Sequence, residues 1–300
     1  MSVLEADIED SVRSVEAAIN YVAPDSLINR RFVVPGTEHN TGRFEPRRVS
    51  IRDGRTIKDR FTLDSHGFVL ADRPSAVVDF NDKAEVDRLY PDEVAESVKA
   101  LTGATRVAVL GWVLRTSGEI AEQGERRRKF DMHGMTQPPA SDAHVDMTPD
   151  RAGRMAQGLY ERHFPDGKGF TRFIASSLWR AYSDPPQDWP LAICDGASVR
   201  ADEGVPNTMF VMDRLPSEAE MLGEMPGEDQ ALAAAIFHHS AAHRWWYFSN
   251  MTRNEVIMLK FHDSDRTRAW RTPHTAFFDP SFPDANTRLS IECRSVAYFE

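Results

Sequence analysis

Two short segments far apart carry the side chains best suited to chemistry. His144-Val145-Asp146 comes first, and His274 follows well downstream, with Arg288-Leu289-Ser290 beyond it. Two imidazoles and one carboxylate can occupy one face of an iron(II) ion, leaving the opposite face open for a co-substrate and dioxygen. His144 and Asp146 are two positions apart, so on a strand both side chains point the same way. Arg288 lies fourteen residues past His274. A guanidinium with a hydroxyl two positions on, Ser290, suits a forked grip on a distal carboxylate. The chemistry these residue types point to is oxidation of an unactivated carbon with Fe(II), using 2-oxoglutarate and O2 as co-substrates.

Each piece has a plainer alternative. The chain has 10 histidines, so one His-x-Asp pair arises by accident. His274 could be a loop residue, or a core histidine bonded to a backbone carbonyl, although Pro273 disfavours helix at Thr272 and favours extended chain there. Arg288, Ser290, Glu292 and Arg294 share one face of a strand by alternation, and a face so polar is either solvated or lines a polar cavity. His238, His239 and His243 offer a rival cluster on a stretch read as helical. Only His239 and His243 would share a helix face, and the glutamate that an HExxH pair needs is missing, so this cluster is set aside.

The elements that must position these residues are mostly strands. Strand-like runs occur at His66–Leu70, Ala76–Phe80, Arg106–Leu114, Phe170–Trp179, Leu191–Cys194, Trp245–Phe248, Glu255–Phe261 and Leu289–Phe299. Arg106–Leu114 is apolar on both alternations and reads as a strand buried on both faces. Residues 24–60 read as loops and short strands, with a turn at Asp53-Gly54. Residues 2–21 read as an amphipathic helix. A second helix is expected to start at Pro91 and end at Gly103, and a third to run from Thr148-Pro149 to about residue 164. The Glu- and Ala-rich residues 216–242 also read as helical. The polar residues 118–142 form a candidate lid. This pattern argues for one domain over 1–300. Its N-terminal extension would span 1–105, its mainly β core 106–300, with helices packed outside a barrel or sandwich and a helical insertion near 216–243.

Composition limits the function classes. The chain has 300 residues, 41% hydrophobic and 27% charged, with a net charge of −10. That balance disfavours nucleic acid as a partner, since phosphate binding needs concentrated Lys and Arg. No run is apolar enough for a membrane span, and the acidic N-terminus is no signal peptide. Cys194 and Cys293 sit in apolar stretches and read as buried free thiols, which fits a cytoplasmic protein. A small-molecule substrate is expected, and a homo-oligomer is compatible with the sequence.

Several segments together resemble the CmcJ/AsaB-like hydroxylase/desaturase family, which includes the cephalosporin 7-alpha-hydroxylase and fungal natural-product oxygenases. The run Pro190-Leu191-Ala192-Ile193-Cys194-Asp195-Gly196-Ala197-Ser198-Val199 carries the likeness. So do His144-Val145-Asp146, Leu178-Trp179-Arg180, Lys260-Phe261-His262-Asp263-Ser264, His274-Thr275-Ala276-Phe277 and Arg288–Arg294. The likeness covers roughly residues 48–300. It implies a double-stranded β-helix (jelly-roll, cupin-like) core, Fe(II) held by His144, Asp146 and His274, and 2-oxoglutarate held by Arg288 and Ser290. Some halogenating relatives lack the carboxylate; Asp146 is present here, so halogenation is disfavoured. Relatives often have Pro after the Trp-Arg pair, where this chain has Ala181, which bears on substrate identity. Arg180 and Asp195 are the candidate substrate-binding residues. Two alternatives stay open: a cupin-like metal enzyme that binds substrate directly without 2-oxoglutarate, and a non-catalytic binding protein.

Overall fold

A computed structural model describes residues 11–35, 37–120 and 133–300. Strands β1 (Ser14–Val22), β2 (Arg30–Val34), β3 (Thr37–Asn40), β4 (Phe44–Asp53) and β5 (Phe68–Asp72) precede helix α1 (Lys83–Thr102). Next come β6 (Arg106–Thr116), β7 (Thr136–Gln137), β8 (His144–Val145), helix α2 (Pro149–His163), β9 (Arg172–Ala181), β10 (Leu191–Cys194) and β11 (Val205–Val211). A short helix α3 (Glu218–Leu222) leads to β12 (Leu232–Ile236), β13 (Trp245–Tyr247), β14 (Glu255–Asp263), β15 (His274–Ala276) and β16 (Leu289–Phe299). None of the described helices is long and apolar enough to cross a membrane.

The strands form two sheets. One has ten strands in the order β1-β4-β13-β10-β15-β8-β12-β11-β2-β3, and the other six in the order β5-β14-β9-β16-β6-β7. The larger apolar cluster draws Ile19, Ile51, Val145, Ile193 and Trp246 from the first sheet and Phe68, Trp179, Leu259 and Val296 from the second. It therefore fills the space between them. A second cluster joins Val86, Tyr90, Val94 and Val98 of α1 to Trp112, Leu178, Met258, Ile291 and Cys293, covering the outer face of the six-stranded sheet. In β16 the odd positions 291 and 293 thus face the helix. Ser290, Glu292 and Arg294 face inward, as the alternation predicts.

Several expectations change in the folded chain. Ser14–Val22 is a strand, not a helix: Val15, Ala17, Ile19 and Tyr21 are buried in alternation, and nine residues pair with β4. The earlier part of that expected helix lies outside the described residues. Helix α1 begins eight residues before Pro91. Asp82 caps it by accepting from the Ala84 and Glu85 N–H groups, and Gly103 closes it at φ 72. Val86 and Tyr90 extend the buried stripe of Val94 and Val98. Burying each is worth about 2 kcal/mol, which offsets the roughly 3 kcal/mol that an interior proline costs.

Residues 216–242 are mostly not helical. Only Glu218–Leu222 is α-helical, a single 3-10 turn forms at Glu228–Gln230, and Leu232–Ile236 forms β12 between β11 and β8. Sheet pairing overrides the helix preference of its alanines. Ala76–Phe80 forms no strand, and Gly54 leads into a 3-10 turn (Arg55–Arg60) rather than a hairpin. The residues assigned to an N-terminal extension supply strands to both sheets, so they are part of the same core. Of the candidate lid, residues 121–132 lie outside the described residues. Both cysteines are buried and free.

Candidate active site

Strands β8 and β15 are neighbours in the ten-stranded sheet, and their only paired residues are His144 and His274. That pairing brings together two residues 130 positions apart in sequence. Their ring centroids are 4.5 Å apart. The Nδ1 of His144 lies 2.8 Å from the Asp142 carbonyl, and the Nδ1 of His274 lies 3.2 Å from the Thr272 carbonyl. A carbonyl only accepts, so each Nδ1 carries the hydrogen and each Nε2 is turned to the shared point. Asp146 Oδ1 lies 3.3 Å from Nε2 of His144 and 3.8 Å from Nε2 of His274. The three donor atoms all lie within 4.8 Å of one another, close enough to hold one metal ion.

Across the intersheet space runs β16. Arg288, Ser290 and Glu292 are buried, at 1%, 0% and 7% exposure. The cavity between the sheets holds about 360 Å³ of empty space, part of it open to solvent. His144, His274, Leu191 and Ala276 line it from one sheet, and Arg115, Ser177, Trp179, Leu259, Arg288 and Glu292 from the other. Arg288 donates from Nη1 to the Trp189 carbonyl at 3.0 Å, and its guanidinium sits 5.8 Å from the centre of the Trp179 ring. Its Nε and the hydroxyls of Ser290 and Ser177 are buried without hydrogen-bond partners among the described residues. Such groups are costly unless a ligand satisfies them. A divalent ion fits the His/Asp/His donors, and a dicarboxylate fits the unmatched guanidinium and hydroxyls.

The buried charges of the cluster shift one another's titration. Burial would lower the His144 pKa, but Asp146 and Asp142 outweigh it and raise it to about 9. Burial and the neighbouring His144 push His274 down to about 4. Burial would raise Asp146, but Arg294 and His144 hold it well below the carboxylate range. Burial, with Arg115 nearby, pushes Arg288 down to about 9. In the metal-free protein at pH 7, His144 is thus protonated and His274 neutral. A metal must displace the His144 proton, because a ligand needs its lone pair. Fe(II) binding is therefore expected to release about one proton at pH 7, and the apparent affinity to rise roughly tenfold per pH unit between pH 7 and 9. Calorimetric titration in buffers of different ionisation enthalpy measures both. Zero proton release, or an affinity flat across that range, would contradict this charge state.

The structure does not bring the two candidate substrate residues to the cavity. Arg180 follows Trp179 on β9, so it points to the outer face. There its guanidinium lies 6.0 Å from the Phe80 ring centre and 5.7 Å from that of Tyr90, and it donates to the carbonyls of Arg73 and Arg253. It ties α1 and the loops beside it to the sheet. Asp195 caps a 3-10 turn by accepting from the Ala197 N–H at 2.9 Å, and it pairs with Arg244 at 2.6 Å. His238, His239 and His243 lie between β12 and β13, not on a helix. Trp179, Ser177, Arg115 and Leu259 were missed as cavity residues. Alternation could have found Trp179 and Ser177, since both face opposite to Arg180 on the same strand.

A two-histidine, one-carboxylate cluster on the inner face of a two-sheet β fold, with a buried guanidinium across the cavity, is the arrangement of a mononuclear non-heme iron oxygenase. The family described as "Oxidoreductase/YMDC permease-like domain" matches residues 19–298. The hydroxylase/desaturase CTB9 of Cercospora beticola is 32% identical over 262 residues, covering 86% of this chain and 78% of that protein. The hydroxylase/desaturase efuI of Hormonema carpetanum is 29% identical, with 96% of each chain covered. The Fe(II)/2-oxoglutarate-dependent dioxygenase nvfI of Aspergillus novofumigatus is 28% identical over 296 residues, 94% of this chain and 96% of that one. A solved structure of the iron and alpha-ketoglutarate-dependent endoperoxidase NvfI superposes with a TM-score of 0.74 at 26% identity, covering 95% of this chain and 98% of that one. The chain belongs to the Fe(II)/2-oxoglutarate-dependent dioxygenases of this hydroxylase/desaturase family. It is an oxidoreductase that uses Fe(II) and 2-oxoglutarate, and the reading without 2-oxoglutarate is not favoured.

Proposed function

We propose that His144, Asp146 and His274 hold Fe(II), that Arg288 and Ser290 take the distal carboxylate of 2-oxoglutarate, and that the enzyme hydroxylates, desaturates or cyclises a small secondary metabolite or modified amino acid. The observation that carries this reading is the pairing of two things in one cavity. The three donor atoms lie within 4.8 Å of one another, and the buried Arg288 Nε and Ser290 Oγ have no hydrogen-bond partner among the described residues. The order of the strands around the cavity, in two facing sheets, supports a jelly-roll core within a single domain. The names of the relatives, hydroxylase/desaturase and endoperoxidase, support the range of outcomes.

When bound, Fe(II) and 2-oxoglutarate reduce dioxygen and oxidise a substrate C–H bond, with release of succinate and carbon dioxide. The protein's part is to position and to exclude. The Asp142 and Thr272 carbonyls fix the two imidazoles, and each Nε2 would be free to bind a metal. Arg288 supplies a planar fork that is charged at pH 7, and Ser290 a hydroxyl donor. Trp179, Leu191, Leu259 and Ala276 give the cavity apolar walls that limit water near the reacting carbon.

An anaerobic titration tests the reading. Fe(II) followed by 2-oxoglutarate is expected to produce the weak visible metal-to-ligand charge-transfer band of an iron-bound oxo acid. Iron binding without the band would remove the oxo acid from this site.

A further inference from the structure

One strong contact at the site has no role in that reading. Asp146 turns Oδ1 to the imidazoles, while Oδ2 faces the opposite sheet, 2.6 Å from Arg294 Nε. Arg294 is on β16, so this ion pair bridges the sheet that carries both histidines and the sheet that carries Arg288. Its aim is set from behind. Glu292, two residues earlier on the same face, accepts the Arg294 Nε hydrogen at 2.8 Å and pairs with Arg115 Nε at 3.2 Å. Arg115 in turn donates to the Pro138 carbonyl at 3.1 Å. The charges alternate along the row Asp146, Arg294, Glu292, Arg115. Both contacts converge on the Arg294 Nε, whose hydrogen goes to Glu292, so the guanidinium sits between two carboxylates and is the cation that Asp146 Oδ2 faces.

A carboxylate can give a metal one oxygen or two. With one oxygen from Asp146 and two imidazole nitrogens, a six-coordinate ion keeps three positions. The keto and carboxylate oxygens of 2-oxoglutarate take two, and one remains. A chelating Asp146 would occupy one of those three. We propose that Arg294 is a positioning residue that holds Asp146 Oδ2 away from the metal, so that Asp146 binds through Oδ1 alone and the position needed by the oxo acid or dioxygen stays open. This rests on the ligand assignment of His144, Asp146 and His274, and it adds a residue that touches neither the metal nor the oxo acid.

The test uses the full chain and reads binding, not turnover. Arg294→Met keeps the length of the side chain and removes its charge; Arg294→Lys keeps a charge. Fe(II) affinity is measured by anaerobic calorimetry. Co(II) absorption then reports coordination number, and the charge-transfer band reports bound 2-oxoglutarate. Arg294→Met is expected to keep Fe(II) affinity within about threefold, to raise the coordination number of bound Co(II), and to weaken 2-oxoglutarate by roughly 10- to 100-fold, the range for lost outer-shell partners. Arg294→Lys is expected to recover most of that loss. Unchanged oxo-acid affinity and Co(II) spectrum would overturn the proposal. So would an equal loss of metal and oxo acid, since that marks a general charge effect. Should Arg294→Met fail to fold by circular dichroism, Arg294→Gln decides by the same readings. Asp146→Ala separates the two ideas: if it binds Fe(II) as tightly as the parent, the ligand assignment itself fails.

Discussion

Asp146→Ala is expected to reduce Fe(II) affinity by more than 100-fold and to abolish turnover, with the fold retained. Losing an outer-shell partner costs about 10- to 100-fold, and Asp146 is the only anion among the three proposed ligands. Its removal also changes the charge of the site. His144 loses the carboxylate that raises its pKa, and Arg294 keeps only Glu292 as a counter-ion. Two neutral imidazoles facing a cationic guanidinium form a poor cradle for a divalent cation. Iron content after anaerobic reconstitution, with circular dichroism as a check on folding, measures this. Near-parental iron content in a folded variant would mean that the metal lies elsewhere.

Arg288→Ala gives the second large effect and acts on a different ligand. Fe(II) affinity is expected to stay within a few-fold, while 2-oxoglutarate binding weakens on the order of 100-fold. Removing one partner of a buried, hydrogen-bonded charge pair costs about 3 kcal/mol, and each 1.4 kcal/mol is tenfold. Arg288→Lys keeps the charge but loses the planar fork, so an intermediate loss of about tenfold is expected. The thermal midpoint is expected to stay the same or rise. Arg288 is 1% exposed, its Nε has no partner, and burial pushes its pKa down. Holding that group ready for a ligand weakens the ligand-free fold, and its truncation relieves the strain. Binding titrations and thermal unfolding of one preparation read both effects. A variant that loses iron together with 2-oxoglutarate would show that Arg288 supports the site rather than the co-substrate.

The candidate donors were legible in the sequence because they are a matter of residue type and local period. The His-x-Asp spacing, the downstream His274, and the alternation of Arg288, Ser290, Glu292 and Arg294 need only the two-residue period of a strand. Strand-like runs correctly gave β6, β9, β10 and β16, and Pro149 correctly opened α2. Where local signals competed, they misled. Ser14–Val22 suits a helical stripe as well as a strand, and only pairing with β4 decides between them. The alanines of β12 favour helix, yet that strand fills the place beside β8 and helps hold His144. Pro91 marked a helix start where a buried stripe carried the helix further back.

By itself, the sequence determined the chemistry the chain carries: two imidazoles, a carboxylate, a guanidinium and a hydroxyl in spacings that suit iron and a dicarboxylate. Only the tertiary structure decided which of them meet. The pairing of His144 with His274, the turn of Arg180 and Asp195 away from the cavity, and the contact of Arg294 with Asp146 all depend on strands distant in sequence lying side by side or face to face. A residue's type and its neighbours fix the direction of a side chain along its own strand. They do not fix which strand lies beside or opposite it, because that choice is made by hydrogen-bond register and burial summed over both sheets.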